Sequence, residues 1–163
     1  MEAIILSGGL GTRLRSVVNT VSKVMAPINS VPFLQYNLEK LHSQGINRVI
    51  LATGYKKEYI KNYFGNQYKG IQLCYSEEST PLGTGGAIKK ALKMANDDDV
   101  IIMNGDIYTA INFNELMASH KKSNYLVTIS LMEMEKFDMF GSVTLNNGYI
   151  TSFNEKNMLI LVT

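Results

Sequence analysis

Three short apolar runs, Glu2–Leu6, Arg48–Thr53 and Val100–Asn104, each stop at a glycine turn: Ser7-Gly8-Gly9, Gly54 and Gly105. A strand wetted on one face alternates apolar and polar residues, so continuous apolar runs ended by glycine fit strands covered on both faces, as in a parallel sheet. Helical spacing fills the gaps between them. Phe33, Leu34, Leu38 and Leu41 follow Pro32 and end near Gly45; Ala87, Ile88, Ala91, Leu92 and Ala95 follow Gly83–Gly86; Phe113, Leu116 and Met117 follow Asn112. Strand and helix in regular alternation predict a doubly wound α/β fold. The style changes late in the chain. Leu126–Met132 alternates, Gly141–Leu145 is short, and Asn147-Gly148 is a strong hairpin signal before Tyr149–Phe153, so a small antiparallel extension is expected near the C-terminus.

A chain of 163 residues reads as a single domain. At this size roughly 70% of the unfolded surface can be buried, enough for a core without disulfide or metal staples. One cysteine, Cys74, excludes an intramolecular disulfide framework and any CxxC metal knuckle. With no signal-like N-terminus, a reducing cytoplasmic setting is expected. The net charge of +2 shows no basic arm for nucleic acid. No apolar run nears the ~20 residues of a membrane span, so neither nucleic acid nor membrane is an expected partner.

The glycine loop Gly8-Gly9-Leu10-Gly11-Thr12-Arg13-Leu14 directly follows the first strand. Open α/β sheets bind ligands beyond the carboxyl ends of their strands. Closely spaced glycines let backbone N–H groups converge on an anion, Thr12 adds a hydroxyl donor, and Arg13 offers a planar fork to phosphate oxygens. The loop reads as a polyphosphate cradle. It is not a P-loop, because no lysine follows Gly11, and it is not the GxGxxG dinucleotide fingerprint, because Leu14 stands where the last glycine is required. A tight turn whose glycines serve backbone geometry alone is the other reading. Lys23, at the end of the long loop from the first strand, is a second cation that can return to the same anion. Asp106 follows the third apolar run in Asn104-Gly105-Asp106, where a hard cation such as Mg²⁺ bridging phosphates needs an oxygen ligand. An Asx turn closing the strand is the alternative there.

These residues, with their neighbours, resemble the sugar-1-phosphate nucleotidyltransferases, and most of all their guanylyltransferases acting on heptose or mannose 1-phosphate. The match is carried by Ala3–Leu14, Lys23–Pro27, Pro32-Phe33-Leu34, Pro81–Ala87, Asn104-Gly105-Asp106 and Phe153–Lys156 in that order. The resemblance implies a Rossmann-like, mostly parallel sheet of the nucleotide-diphospho-sugar transferase type. It implies that Leu6, Gly8, Gly9, Gly11 and Thr12 hold the nucleotide, with Arg13 on the departing pyrophosphate, Lys23 beside the attacked phosphate and Asp106 holding Mg²⁺. Tyr55, Glu78, Gly83 and Thr84 would line the base and ribose pocket. Gly141 would leave room for the sugar ring, Glu155 would take sugar hydroxyls and Lys156 the sugar phosphate.

The implied reaction joins a nucleoside triphosphate, GTP favoured, to a sugar 1-phosphate, D-glycero-D-manno-heptose 1-phosphate favoured. Its products are a GDP-sugar for surface-glycan synthesis and pyrophosphate. Relatives using dTTP, CTP or UTP, or a non-catalytic nucleotide-binding member, are the alternatives. The resemblance also implies that the chain is one nucleotidyltransferase domain lacking the family's usual C-terminal part. The apolar run Met158–Val162 is then an expected edge for pairing with a second copy in a homodimer.

The remaining polar residues read as ordinary. His42 and His120 lack a second ligand at metal spacing, Asp97-Asp98-Asp99 reads as a solvated turn, and Lys89, Lys90 and Lys93 as an exposed helix face. Cys74 is expected in a buried strand.

Overall fold

The computed structural model describes residues 1–9, 22–54, 56–123, 125–134 and 141–154. Five strands form the main sheet in the order β5 (Gln67–Tyr68), β6 (Ile71–Glu77), β4 (Arg48–Thr53), β1 (Glu2–Leu6), β7 (Val100–Asn104). All but β5 are parallel. The expected apolar runs are β1, β4 and β7, each with the bounds read from the sequence.

Alternation along β1 explains the two cores. Ala3 and Ile5 point to one face, where Leu34, Leu38 and Leu41 of α1 (Phe33–Ser43), Ile60 and Phe64 of α2 (Lys57–Phe64) and Phe113 of α4 (Phe113–Ser123) bury against them. Ile4 points to the other face, where Ile50 and Ala52 meet Ala87 and Ala91 of α3 (Gly83–Leu92). The small alanines let α3 lie close to the sheet. Helices on both faces make the sheet doubly wound, and the architecture is Rossmann-like.

The strand order contains one reversal. From β1 the chain adds β4 and then β6 on one side, and β7 returns through α3 to the other side of β1. The β1/β7 junction is therefore the topological switch point, where parallel α/β sheets open a crevice beyond their strand ends. Register sets those ends level, since Leu6 pairs with both Ala52 and Asn104.

At the opposite edge of the sheet, Glu2 clamps the fold. Its carboxylate meets Arg48 at 2.5 Å and accepts the Asn96 N–H at 2.8 Å. Asn112 caps α4 through its side-chain oxygen to the N–H groups of Asn114 and Glu115. Gln44, just past α1, also accepts the Phe113 N–H.

The antiparallel extension is a hairpin of β8 (Ser142–Asn146) and β9 (Tyr149–Asn154), whose strands pair with each other. Asn147 (φ 51°) and Gly148 (φ 82°) form its turn. Two successive positive φ values match the right-handed strand twist, which is why Asn-Gly marks this position. A two-residue hairpin, β2 (Pro27–Ile28) with β3 (Val31–Pro32), leads into α1.

Two expectations are corrected. Residues 125–134 contain no strand despite the alternation of Leu126–Met132. Alternation makes a strand only where one face is covered, and Leu126 is 99% and Met132 75% exposed. Cys74 lies in β6 but is only half-buried. The Met158–Val162 run lies outside the described residues. No helix among the described residues is long and apolar enough to cross a membrane.

Candidate functional site

The sheet's carboxyl edge gathers the polar and glycine residues that the sequence singles out, in two groups on either side of the end of β1. On the β7 side stand Lys23 and Asp106. Lys23 opens a single turn of 3-10 helix, Lys23–Met25, whose next two residues, Val24 and Met25, are buried. That apolar anchor fixes the backbone and leaves the lysine side chain half-exposed, with its Nζ donating to Asp106 Oδ2 at 2.5 Å.

Asp106 is placed by Gly105. The Gly105 N–H donates to the Leu6 carbonyl at 2.8 Å, and its own carbonyl accepts the Asn37 side-chain amide at 3.0 Å. A Cβ on Gly105 would stand 2.9 Å from the Leu6 carbonyl oxygen, 2.9 Å from Val24 Cγ1 and 3.0 Å from Ile5 Cγ2. Glycine is required there by close approach, not by an unusual φ.

On the β4 side stand Gly8, Gly54 and Glu78. The Ser7 N–H and hydroxyl both donate to the Ala52 carbonyl at 2.9 Å, which holds the chain against β4 as it leaves β1. A Cβ on Gly8 would lie 3.3 Å from the Gly54 nitrogen and 3.4 Å from Glu78 Oε1. Glu78 is held by its own N–H donating to Thr53 O at 2.7 Å, and its Oε2 accepts the Leu82 N–H at 2.9 Å. This last bond ties Glu78 to the start of α3, where Gly83 (φ 69°) and Thr84 are exposed. The N-terminus of α3 presents unpaired N–H groups and the positive end of its dipole on this side.

Glu77, beside Glu78 but on the other face of β6, meets Lys57 Nζ at 2.5 Å and Lys61 Nζ at 3.7 Å. The Lys57 hydrogen bond holds the Glu77 carboxyl below the usual glutamate range.

Leu6, Gly8, Gly9, Lys23, Glu78, Gly83, Thr84 and Asp106 thus share one edge of the sheet. Gly141 is exposed and directly precedes β8 of the hairpin. Gly11, Thr12, Arg13, Tyr55, Glu155 and Lys156 lie outside the described residues. Asn37 is not singled out by motif, and Gly54 reads only as the turn ending its strand. The signal for Asn37 is an amide inside the Leu34, Leu38, Leu41 stripe of α1.

Asp106 suits a divalent cation: one carboxylate oxygen already carries a cation, the Lys23 ammonium, and the side chain is about one-third exposed. Among the described residues no cluster of three or more His, Cys, Asp or Glu could cage a metal. One carboxylate with substrate phosphates and waters filling the remaining positions is the usual arrangement for Mg²⁺.

A family model described as nucleotidyl transferase matches residues 2–158. The chain is 47% identical over 156 residues to a D-glycero-alpha-D-manno-heptose 1-phosphate guanylyltransferase of Aneurinibacillus thermoaerophilus, covering 96% of this chain and 68% of that protein. It is 45% identical over 157 residues to the protein of the same description from Campylobacter jejuni, covering 96% and 69%. Among solved structures, HddC from Yersinia pseudotuberculosis complexed with GMP-PN superposes with a TM-score of 0.83 at 34% identity, covering 96% of this chain and 70% of that one.

Proposed function

Because the chain belongs to the sugar-1-phosphate nucleotidyltransferase family, we propose that it transfers a guanylyl group from GTP to a heptose 1-phosphate, with D-glycero-D-manno-heptose 1-phosphate the favoured acceptor. The observation that carries this reading is the meeting of Lys23 with Asp106 at the β1/β7 switch point, 2.5 Å apart. The 47% identity to a protein described as acting on that heptose phosphate supports the choice of acceptor. A cytoplasmic setting fits a chain with a single cysteine.

In the proposed reaction an oxygen of the sugar phosphate forms a bond to the α-phosphorus of GTP. The bond from that phosphorus to the α–β bridging oxygen breaks, and its electron pair leaves with pyrophosphate. The attacking oxygen is already anionic near neutral pH, so no protein nucleophile or general base is needed. The barrier lies in bringing two anions together and aligning them. Alignment can supply ~7–11 kcal/mol, and each well-aimed donor ~3–4 kcal/mol.

Residues at the sheet edge divide that task. Gly8 and Gly9, having no side chains, leave backbone N–H groups open to the triphosphate, and Arg13 further along the same loop takes the departing pyrophosphate. Lys23 offers its ammonium to the phosphate oxygens. Asp106 would hold Mg²⁺, which would supply neutralisation of phosphate charge. Glu78 faces the base: its Oε2 is engaged by Leu82, and Oε1 is left to accept the N1–H and exocyclic amine of guanine, donors that adenine does not present in that pattern. Glu155 and Lys156 receive the sugar hydroxyls and sugar phosphate.

The reading is tested by pyrophosphate release from the purified protein with Mg²⁺, heptose 1-phosphate and each common triphosphate in turn. Turnover with GTP well above the others is expected. Absence of turnover in every combination overturns the proposal, and tight triphosphate binding without product would indicate a non-catalytic nucleotide-binding protein instead.

A further inference from the structure

We propose that Asn37 is a positioning residue that holds the peptide before Asp106 from α1, on the same face of the sheet as the Lys23 turn. It lies on the core-facing stripe of α1 with Leu34, Leu38 and Leu41, and is 1% exposed. A primary amide buried in an apolar stripe opposes folding unless its hydrogen bonds are made. Asn37 makes one: its Nδ2 donates to the Gly105 carbonyl at 3.0 Å, while Oδ1 has no hydrogen-bond partner among the described residues. An apolar residue of similar size would remove the unpaired oxygen but leave the buried Gly105 carbonyl without its donor, so the one bond the amide makes is tied to that carbonyl. Its effect is local, at the carbonyl immediately before Asp106.

That carbonyl belongs to a residue held from every side. The Gly105 N–H is fixed to Leu6 O at 2.8 Å, and Leu6 O, Val24 Cγ1 and Ile5 Cγ2 close the space where a side chain would stand. The N–H bond to β1 fixes the peptide that enters Gly105, and the carbonyl bond to α1 fixes the next peptide, which joins Gly105 to Asp106. That holds the backbone from which the Asp106 carboxylate reaches Lys23 at 2.5 Å. Without Asn37 the preceding peptide keeps its anchor to Leu6, while the Gly105–Asp106 peptide loses its bond to α1. This outer contact supports a metal-holding carboxylate as outer-shell partners generally do.

The placement stands on geometry, whereas its consequence for metal binding and turnover rests on the guanylyl-transfer reading, and the test separates the two. In the ¹⁵N-labelled full chain, the backbone order parameter of Asp106 is measured in the wild type, in Asn37→Leu, which continues the apolar stripe, and in Asn37→Ala, which cannot overpack. Thr53, at a neighbouring strand end, serves as the internal control. Asp106 is expected to fall from the rigid range near 0.85 toward 0.6 in both variants, with Thr53 unchanged. Asn37→Leu, which trades the unpaired Oδ1 for an unpaired Gly105 carbonyl, is expected to fold with an unchanged or moderately lowered melting temperature. Mn²⁺ titrated in the presence of GTP and followed by electron paramagnetic resonance should bind about 10- to 100-fold more weakly to the variants.

An Asp106 order parameter unchanged in both variants overturns the proposal. So does failure of both to fold, which would assign Asn37 to the core instead. If the wild type neither binds Mn²⁺ with GTP nor turns over, guanylyl transfer fails, and the order parameters still decide the role of Asn37.

Discussion

Lys23 Nζ and Asp106 Oδ2 stand 2.5 Å apart, although 83 residues separate them in the chain. The loop leaving β1 delivers the cation and the end of β7 delivers the carboxylate. An exposed pair of this kind contributes only ~0–1 kcal/mol to stability. Its value lies in the charges it holds ready at a strand junction.

Asp106→Asn removes the carboxylate charge and keeps the shape. Turnover is expected to fall by about 10²–10³, the scale of losing one aimed electrostatic group. Thermal unfolding should shift by only a degree or two, measured by circular dichroism alongside the pyrophosphate assay. Full activity in this variant would remove Asp106 from the phosphate site.

Gly105, at a strand end, should respond differently from Gly85 in α3. Gly105→Ala sets a Cβ 2.9 Å from the Leu6 carbonyl oxygen and should destabilise by about 1–3 kcal/mol, the usual cost of overpacking. Gly85→Ala, with nothing within 4 Å of the added Cβ inside α3, should be neutral or stabilising by up to ~1 kcal/mol through helix propensity. Urea midpoints of the two variants measure the contrast.

Glu77 carries a pH signature. Its carboxyl is lowered chiefly by the hydrogen bond from Lys57, with the nearby charges of Lys57 and Lys61 adding to it. The unfolded chain therefore binds this proton at higher pH than the folded one. The contribution to stability is complete above the ordinary glutamate value and is lost as pH falls through the lowered one. Carboxyl-detected NMR should show Glu77 titrating below free glutamate, and Lys57→Ala should move it upward. Solvent exposure keeps the stability effect small, and added salt should shrink it further.

Glu78 is expected to set base preference. Glu78→Ala should reduce the advantage of GTP over ATP by about 10- to 100-fold, the range for losing hydrogen bonds to a charged acceptor. Glu78→Gln keeps an oxygen for the Leu82 N–H and should separate the structural tie from base recognition. Competition calorimetry with the two triphosphates reads the ratio. An unchanged ratio in both variants would exclude Glu78 from base recognition.

Much of this arrangement was legible in the residues. The strands β1, β4 and β7 are buried on both faces, so their continuous apolar runs mark their ends, and the glycine after each run marks the ligand-facing edge. The hairpin turn at Asn147-Gly148 was equally plain, because few residue pairs accept two positive φ values. Less visible was α2, whose buried face is only Ile60 and Phe64, too short a stripe to show a helical period. Leu126–Met132 misled because alternation records a capacity to pair and not the presence of a partner.

At the site, Lys23 and Asp106 were singled out by motif, but their contact depends on the return of β7 beside β1, which no local pattern states. The role of Gly105 was hidden for the same reason. It looked like a strand terminator, whereas three residues from β1 and the Lys23 turn make it sterically obligatory. Asn37 carries no motif at all, and only its place among leucines on α1 distinguishes it from a surface asparagine.

Guanylyl transfer is tested most directly by following the label from [α-³²P]GTP in the presence of Mg²⁺, D-glycero-D-manno-heptose 1-phosphate and the purified protein. The label should pass into a GDP-sugar while the released pyrophosphate stays unlabelled, and it should do so only when the sugar phosphate is present. Label remaining in GTP, or appearing only in GMP or GDP regardless of the sugar phosphate, would contradict the account.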